Sequence, residues 1–266
     1  MKPVAVITGA SAGIGVELAR VFAVNGHAVA LVARRVAELD ALAAEIAGKK
    51  YAPPVVLPLD LTQPDAGARL AEALAARGLE PRYVVNNAGF GLVGPAADLD
   101  RDQQLAMIDL NMRALTDLSL RFIDSLARQG GGLLNVASVA GVMPGPGSAV
   151  YYASKAFVLS LTEALHRELE PCGIRVTCLC PGPVETEFQA RAGVAETVPP
   201  WPLRVSARQV ATAGYDGLMR GRRIVVPGLG PRLLMALVPR LVPRGVLLSR
   251  LESRQLKRRH PAGHAL

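Results

Sequence analysis

Apolar residues along the chain fall into two alternating patterns. Short runs rich in Val, Ile, Leu and Ala occupy residues 4–8, 28–33, 55–59, 83–86, 133–138, 175–180 and 224–226. Between them lie longer stretches, 13–25, 36–47, 64–77, 101–128, 151–170 and 207–220, whose apolar positions recur at helical spacing. The short runs are nearly continuous in apolar residues, as expected of strands covered on both faces. Strands alternating with helices predict a parallel sheet joined by right-handed crossovers. The expected fold is α/β: a Rossmann-type doubly wound parallel sheet in a single domain, with helices on both faces. Ligands of such sheets bind at the carboxyl ends of the strands. No internal repeat and no interdomain linker interrupts the series. Residues 187–202 hold Gly193, Pro199, Pro200 and Pro202 and read as a long loop of the kind that covers active sites.

Composition supports a globular reading. Of 266 residues, 50% are hydrophobic and 20% charged, which suffices for a sizeable core and excludes a disordered chain. Aromatic residues make up only 4%, too few for base-stacking platforms, so nucleic acid is not an expected partner. Cys172, Cys178 and Cys180 fall within nine residues, a poor disulfide framework, and read as buried residues in or near a strand. No histidine pair lies near them, so no metal site is expected. Free cysteines and the lack of a signal-peptide pattern point to a reducing, cytoplasmic setting. Residues 133–154 lack charges, yet their Asn, Gly and Pro content reads as strand, loop and helix start rather than a membrane span.

The net charge of +8 is unevenly placed. Residues 231–266 carry Arg232, Arg240, Arg244, Arg250, Arg254, Lys257, Arg258 and Arg259 against one acid, Glu252, so they hold +7 of it. Residues 1–230 are nearly neutral.

Candidate chemistry begins at Thr8-Gly9-Ala10-Ser11-Ala12-Gly13-Ile14-Gly15, between the first strand and the first helix. Its glycines permit a tight turn and close approach of an anion. The backbone of Gly9, Ser11, Ala12, Gly13, Ile14 and Gly15 then faces a diphosphate, at the positive end of the helix. An ordinary glycine-rich turn is the competing reading, because the spacing differs from G-x-G-x-x-G. The second strand ends in Arg34 and Arg35, beside the expected adenosine ribose. An acid there binds a 2′-hydroxyl; planar guanidinium donors suit a 2′-phosphate, which favours NADP(H) over NAD(H).

Tyr151 has Lys155 four residues on, the same helical face. Tyrosine ordinarily titrates at about pH 10, and a neighbouring cation lowers that value. Taken alone, the pair is equally an amphipathic helix with a solvated lysine. Ser138, at the end of the fifth apolar run, is placed to donate to a substrate oxygen, or is simply a satisfied strand-end serine.

In order along the chain, Thr8–Gly15, Asp60, Asn86-Asn87-Ala88-Gly89, Asn111, Ser138 with Tyr151 and Lys155, and Pro181-Gly182 followed by Thr186 resemble the short-chain dehydrogenase/reductase family over about residues 3–228. The resemblance is to the subgroup with Tyr-x-x-x-Lys and a Thr-Gly-x-x-x-Gly-x-Gly cradle. It implies Asn111, Ser138, Tyr151 and Lys155 as the catalytic set. Tyr151 exchanges the proton, Lys155 lowers its pKa and bonds the nicotinamide ribose, Ser138 orients the substrate oxygen, and Asn111 holds a water linked to Lys155. It further implies that Asp60 and Leu61 contact adenine, and that Asn87, Ala88 and Gly89 form a cofactor wall. Pro181, Gly182, Val184 and Thr186 flank the nicotinamide, Thr186 bonding its carboxamide. Where some NADP-using relatives carry a basic residue before the second glycine, this chain has Ala12, so the NADP preference rests on Arg34 and Arg35. The expected partners are a small-molecule carbonyl or alcohol and further copies of the chain, as a homodimer or homotetramer.

These features divide the chain into a dinucleotide-binding catalytic domain, residues 1–230, and a basic apolar extension, residues 231–266. The extension either covers the pocket, forms a subunit interface, or touches a membrane through residues 231–259. Pro239 and Pro243 are expected to interrupt its helix, and Arg250, Arg254 and Arg258 to form one basic stripe. The expected function is NADP(H)-dependent oxidoreduction of a hydrophobic carbonyl or secondary alcohol; the alternatives are a non-catalytic NADP-sensing scaffold and a membrane-attached reductase of lipid-derived carbonyls. Substrate choice falls to the loops at 91–99, 142–150 and 187–202, where Phe90, Leu92, Val93, Val142, Met143, Phe188 and Trp201 suggest an apolar pocket.

Overall fold

The computed structural model describes residues 1–49, 51–184, 186–188, 192 and 205–258. Its strands are β1 (Lys2–Thr8), β2 (Val29–Ala33), β3 (Val55–Pro58), β4 (Leu79–Asn86), β5 (Gly132–Val136), β6 (Arg175–Leu179) and β7 (Ile224–Val225). Between them run α1 (Gly13–Val24), α2 (Val36–Gly48), α3 (Ala66–Ala75), α4 (Arg101–Ile108), α5 (Leu115–Arg121), α6 (Ile123–Arg128), α7 (Ala149–Leu169) and α8 (Ala207–Met219). Two more helices, α9 (Leu229–Leu241) and α10 (Arg244–Arg258), follow β7. All strand pairings are parallel, in the order β3-β2-β1-β4-β5-β6-β7. The chain reverses direction across the sheet between β1 and β4, which opens the crevice at the carboxyl ends of those two strands.

Strand alternation sorts the core into two layers. Ala5 and Ile7 of β1 face one side with Leu18 and Phe22 of α1, Leu39 of α2 and Val210 of α8. Val4 and Val6 face the other, with Leu70 of α3, Leu118 of α5, Leu126 of α6 and Leu165 of α7. With both faces covered, no polar alternation is needed, which is why these runs read as continuous apolar segments.

Three expectations need correction. β4 starts at Leu79, four residues before the apolar run, because Pro81 falls at a register shift against β1, where a missing N–H is tolerated. The long helical stretch expected over 101–128 is present but divided. A π-helical turn, Asp109–Ala114, separates α4 from α5, and Phe122 (φ −103°, ψ 9°) separates α5 from α6. Cys178 and Cys180 are buried as expected, but Cys172 is exposed, in the turn after α7.

Candidate active site

Sterics shape the β1–α1 turn. Gly9 and Gly13 adopt left-handed φ values of 67° and 53°. A Cβ on Gly9 would lie 2.8 Å from Asn87 Nδ2, and one on Gly15 would overlap the Gly9 carbonyl oxygen. Only glycine fits these positions. Ala12 caps α1 without a side-chain bond, so the first helical N–H groups face the crevice, flanked by Ser11 and Ile14. Asn87 and Ala88 anchor the turn: Thr8 Oγ1 accepts from both backbone N–H groups at 3.0 Å and donates to Val85 O at 3.0 Å. Asn87 Nδ2 donates to Thr8 O at 2.9 Å. The cradle is therefore tied directly to the end of β4, and a diphosphate fits the space that the absent side chains leave.

Arg34 and Arg35 stand at the end of β2 but differ. Arg34 is exposed and pulls on Asp60 electrostatically. Arg35 leans into the cradle, donating to Ser11 O at 2.7 Å and Ser11 Oγ at 3.3 Å. Its guanidinium also pairs with Glu38 at 3.0 Å and Glu187 at 3.1 Å. Burial alone would raise the Asp60 carboxyl; bonds from Thr62 N and Oγ1 at 3.0 and 2.8 Å outweigh it and hold the group below its ordinary value. Leu61, beside it, is buried.

The acid–base candidates meet at the carboxyl ends of β5 and β6. Ser138 caps the 3-10 turn Val139–Val142, accepting from Ala140 N at 3.1 Å and donating to Pro181 O at 3.5 Å, and its hydroxyl acts on the Tyr151 phenol to favour the ionised form. One turn further along α7, the Lys155 amine lies 6.0 Å from the Tyr151 ring centre and donates to Val136 O at 2.9 Å. Asn111 occupies the π-helical turn. Its Nδ2 donates to Phe90 O at 2.9 Å and Ser154 Oγ at 3.1 Å, while its Oδ1 accepts from Phe90 N at 3.1 Å. The widened turn thus aims Asn111 at the strand-end loop, which accounts for the break in the long helix. A Cβ on Gly89 would lie 2.9 Å from Asn111 Oδ1 and 3.5 Å from Lys155 Nζ, so glycine there lets the two groups share one small space.

Electrostatics modify the expected coupling. Burial pushes the Tyr151 phenol up to about 12, and the group that opposes this is the Ser138 hydroxyl rather than Lys155. Burial brings the Lys155 amine down to about 8. Between pH 8 and its ordinary value of 10.5, the unfolded chain holds a proton on this amine that the folded chain has released. Raising the pH through that window therefore stabilises the fold. Denaturant unfolding should show the parent gaining roughly 3 kcal/mol over Lys155→Met across the window. Parallel pH curves for the two proteins would refute the burial argument.

The remaining expected residues are partly gathered. Pro181 O accepts from Val139 N at 3.0 Å, Gly182 follows it, and Val184 is buried against the α1 side of the core. Thr186 packs over the cradle, its methyl 2.9 Å from where a Gly13 Cβ would stand. Phe188 packs tilted against Tyr151, ring centres 5.5 Å apart, and Val93 N donates to Ala192 O at 3.1 Å. The rest of the expected cover, including Trp201, lies outside the described residues. Ser154, Glu38 and Glu187 were not anticipated. Ser154 lies three residues after Tyr151, a helical spacing that could have flagged it; nothing in the sequence pairs Glu187 with Arg35.

A family model described as short chain dehydrogenase matches residues 3–196. Sulfoacetaldehyde reductase 2 of Chromohalobacter salexigens is 38% identical over 191 residues, covering 71% of this chain and 75% of that protein. Serine 3-dehydrogenase of Agrobacterium fabrum is 34% identical over 189 residues, covering 71% and 74%. Among solved structures, a short-chain dehydrogenase from Sphingobium yanoikuyae in complex with NADPH superposes with a TM-score of 0.76 at 31% identity, covering 100% of this chain and 99% of that one. The bulky-bulky ketone specific alcohol dehydrogenase from Comamonas testosteroni gives 0.74 at 27%, covering 100% and 97%.

Proposed function

The chain belongs to the short-chain dehydrogenase family of oxidoreductases, and on that premise we propose that it reduces a hydrophobic carbonyl, or oxidises the matching secondary alcohol, with NADP(H) and Tyr151 as proton-exchanging group. The observation that carries this reading is the gathering of Ser138, Tyr151 and the Lys155 amine on the crevice edge that also holds the glycine cradle. The Gly9–Gly15 backbone holds the cofactor diphosphate, Asp60 and Leu61 border the adenine, and Asn87, Ala88 and Gly89 form the wall. Pro181, Gly182, Val184 and Thr186 line the nicotinamide side. The bound nicotinamide supplies hydride chemistry. Tyr151, held protonated at neutral pH, donates to the carbonyl oxygen as charge develops there, while Ser138 orients that oxygen. Lys155 stands one helical turn from the phenol, where its amine would bond the nicotinamide ribose, while the Ser138 hydroxyl favours the ionised phenol. Asn111 fixes the 89–90 loop against which Lys155 rests. A sensing scaffold would need only the cradle, so a complete set of four polar groups favours catalysis.

Two finer points follow. Phe188 on the Tyr151 ring supports an apolar carbonyl, in keeping with a structural relative named for bulky-bulky ketones. Screening carbonyl compounds while following NADPH absorbance tests this; turnover of small charged aldehydes alone would count against it. The exposed face with Leu105, Ile108 and Leu120, beside an open pocket of about 450 Å³ lined by Met112 and Phe157, supports self-association.

Arg34 and Arg35 support NADP(H). Because Glu38 and Glu187 already share Arg35, the exposed Arg34 carries more of the preference. Arg34→Asp is expected to weaken NADPH binding by about 10–150-fold, as for loss of one charged hydrogen bond, while sparing NADH. Kinetics with both cofactors check it. A parent that prefers NADH overturns the assignment.

A further inference from the structure

The two helices after β7 leave an apolar face uncovered, and its surroundings indicate what covers it. α9 begins at the carboxyl edge of the sheet, with three residues between it and the end of β7. Its inner side is fixed: Gly230 and Pro231 are buried, and Met235 packs against the cluster of Ala137, Val158, Cys178 and Cys180. Arg232 Nε donates to Val226 O at 2.7 Å and pins the helix start to the end of β7. Pro231 stands in the first turn, where no helical N–H is needed, and the break comes at extended Val242 before Pro243. Contrary to the expectation from the prolines, α9 therefore runs as one helix through Pro239.

Its outer side is strongly apolar. Leu229, Leu233, Leu237 and Leu241 are 75%, 58%, 45% and 71% exposed. Their four-residue spacing puts them on one face. Arg232 and Arg240 of α9 are exposed, Arg240 lying along its own helix with a bond to Ala236 O at 2.6 Å, and Arg244 and Arg250 of α10 are exposed as well. The only acid from residue 231 onward is Glu252. An isologous contact with a second copy through this face would set arginine against arginine. A negatively charged surface that accepts leucine side chains relieves both problems at once. Among the described residues no helix is long and apolar enough to cross a membrane, so the helix lies on such a surface rather than spanning it.

We propose that α9 and the start of α10 form a docking surface for an anionic lipid bilayer, with Leu229, Leu233, Leu237 and Leu241 entering the interface and Arg240, Arg244 and Arg250 meeting lipid phosphates. Because α9 also packs on the turn after Ser138, the bound chain presents the edge of its crevice to the lipid. The surface stands whether or not the reductase reading holds, since its test measures binding and not turnover.

The test is co-sedimentation of the full chain with vesicles of phosphatidylcholine mixed equally with phosphatidylglycerol, against vesicles of phosphatidylcholine alone. Binding to the anionic vesicles is expected to exceed binding to the neutral ones by about tenfold or more and to fall steeply with salt. Leu233→Ser with Leu237→Ser should abolish it, and Arg240→Gln with Arg244→Gln should reduce it to the neutral-vesicle level, with thermal unfolding unchanged in both because these side chains are exposed. Light scattering supplies the remaining arm. Failure of the parent to bind anionic vesicles at low salt overturns the proposal, as does undiminished binding by the leucine variant. A leucine variant that instead lowers the mass of the protein in solution assigns the face to a second copy and overturns it too.

Discussion

Tyr151→Phe is expected to lower turnover by about 10²–10⁴-fold, the usual contribution of a positioned general acid. The substitution removes one oxygen and leaves the ring, which packs edge-on against Tyr152 (ring centres 6.0 Å apart) and tilted against Phe188. Fold and cofactor affinity should therefore stay close to those of the parent. The loss should appear in kcat more than in KM, because the phenol proton moves only as the carbonyl is reduced. Loss of the hydroxyl leaves Ser138 still able to accept from Ala140 N. Steady-state kinetics alongside a cofactor fluorescence titration decide the matter. Turnover within a few-fold of the parent removes Tyr151 from the reaction.

Gly15→Ala should damage both fold and cofactor binding. The added methyl would overlap the Gly9 carbonyl oxygen and approach Asn87 Nδ2 at 2.6 Å. Neither can yield freely, because Asn87 is bonded to Thr8 O and the Gly9 carbonyl belongs to the turn itself. Forcing a methylene-sized group into such a site typically costs about 1–3 kcal/mol. If the turn opens to accept it, the cradle loses its shape, and a similar energy withdrawn from binding weakens the cofactor by about 10–100-fold. Gly48→Ala is the contrast. A Cβ there meets nothing within 4 Å, so a change of under about 1 kcal/mol is expected. Thermal unfolding and cofactor titration of the two variants check the pair of outcomes. A Gly15→Ala protein as stable and as tight-binding as the parent would show that the close packing at the cradle is not what demands glycine.

Much of the architecture was legible because the physics behind it is local. A strand covered on both faces must be apolar throughout, so runs such as residues 28–33 and 133–138 announced a parallel sheet without reference to any partner. The cradle was legible for a similar reason, since glycines at 9, 13 and 15 answer backbone demands that no other residue meets. The start of β4 was hidden because Pro81 argues against a strand until its neighbour's register shift is known. The π-helical turn was hidden because its cause, the three bonds from Asn111 to Phe90 and Ser154, joins residues far apart in the chain.

What the sequence by itself determined is the set of chemical groups and the order in which they occur: the cradle, the strand-end arginines, Ser138, Tyr151 and Lys155, and a basic, leucine-rich end. Tertiary structure alone decided their states. It desolvated the half-buried Tyr151 phenol so that its pKa rises rather than falls, and it engaged Arg35 with Glu38 and Glu187. It also turned four leucines of α9 outward. Desolvation, ion pairing and exposure depend on what surrounds a group in space, and residues distant in the chain set those surroundings.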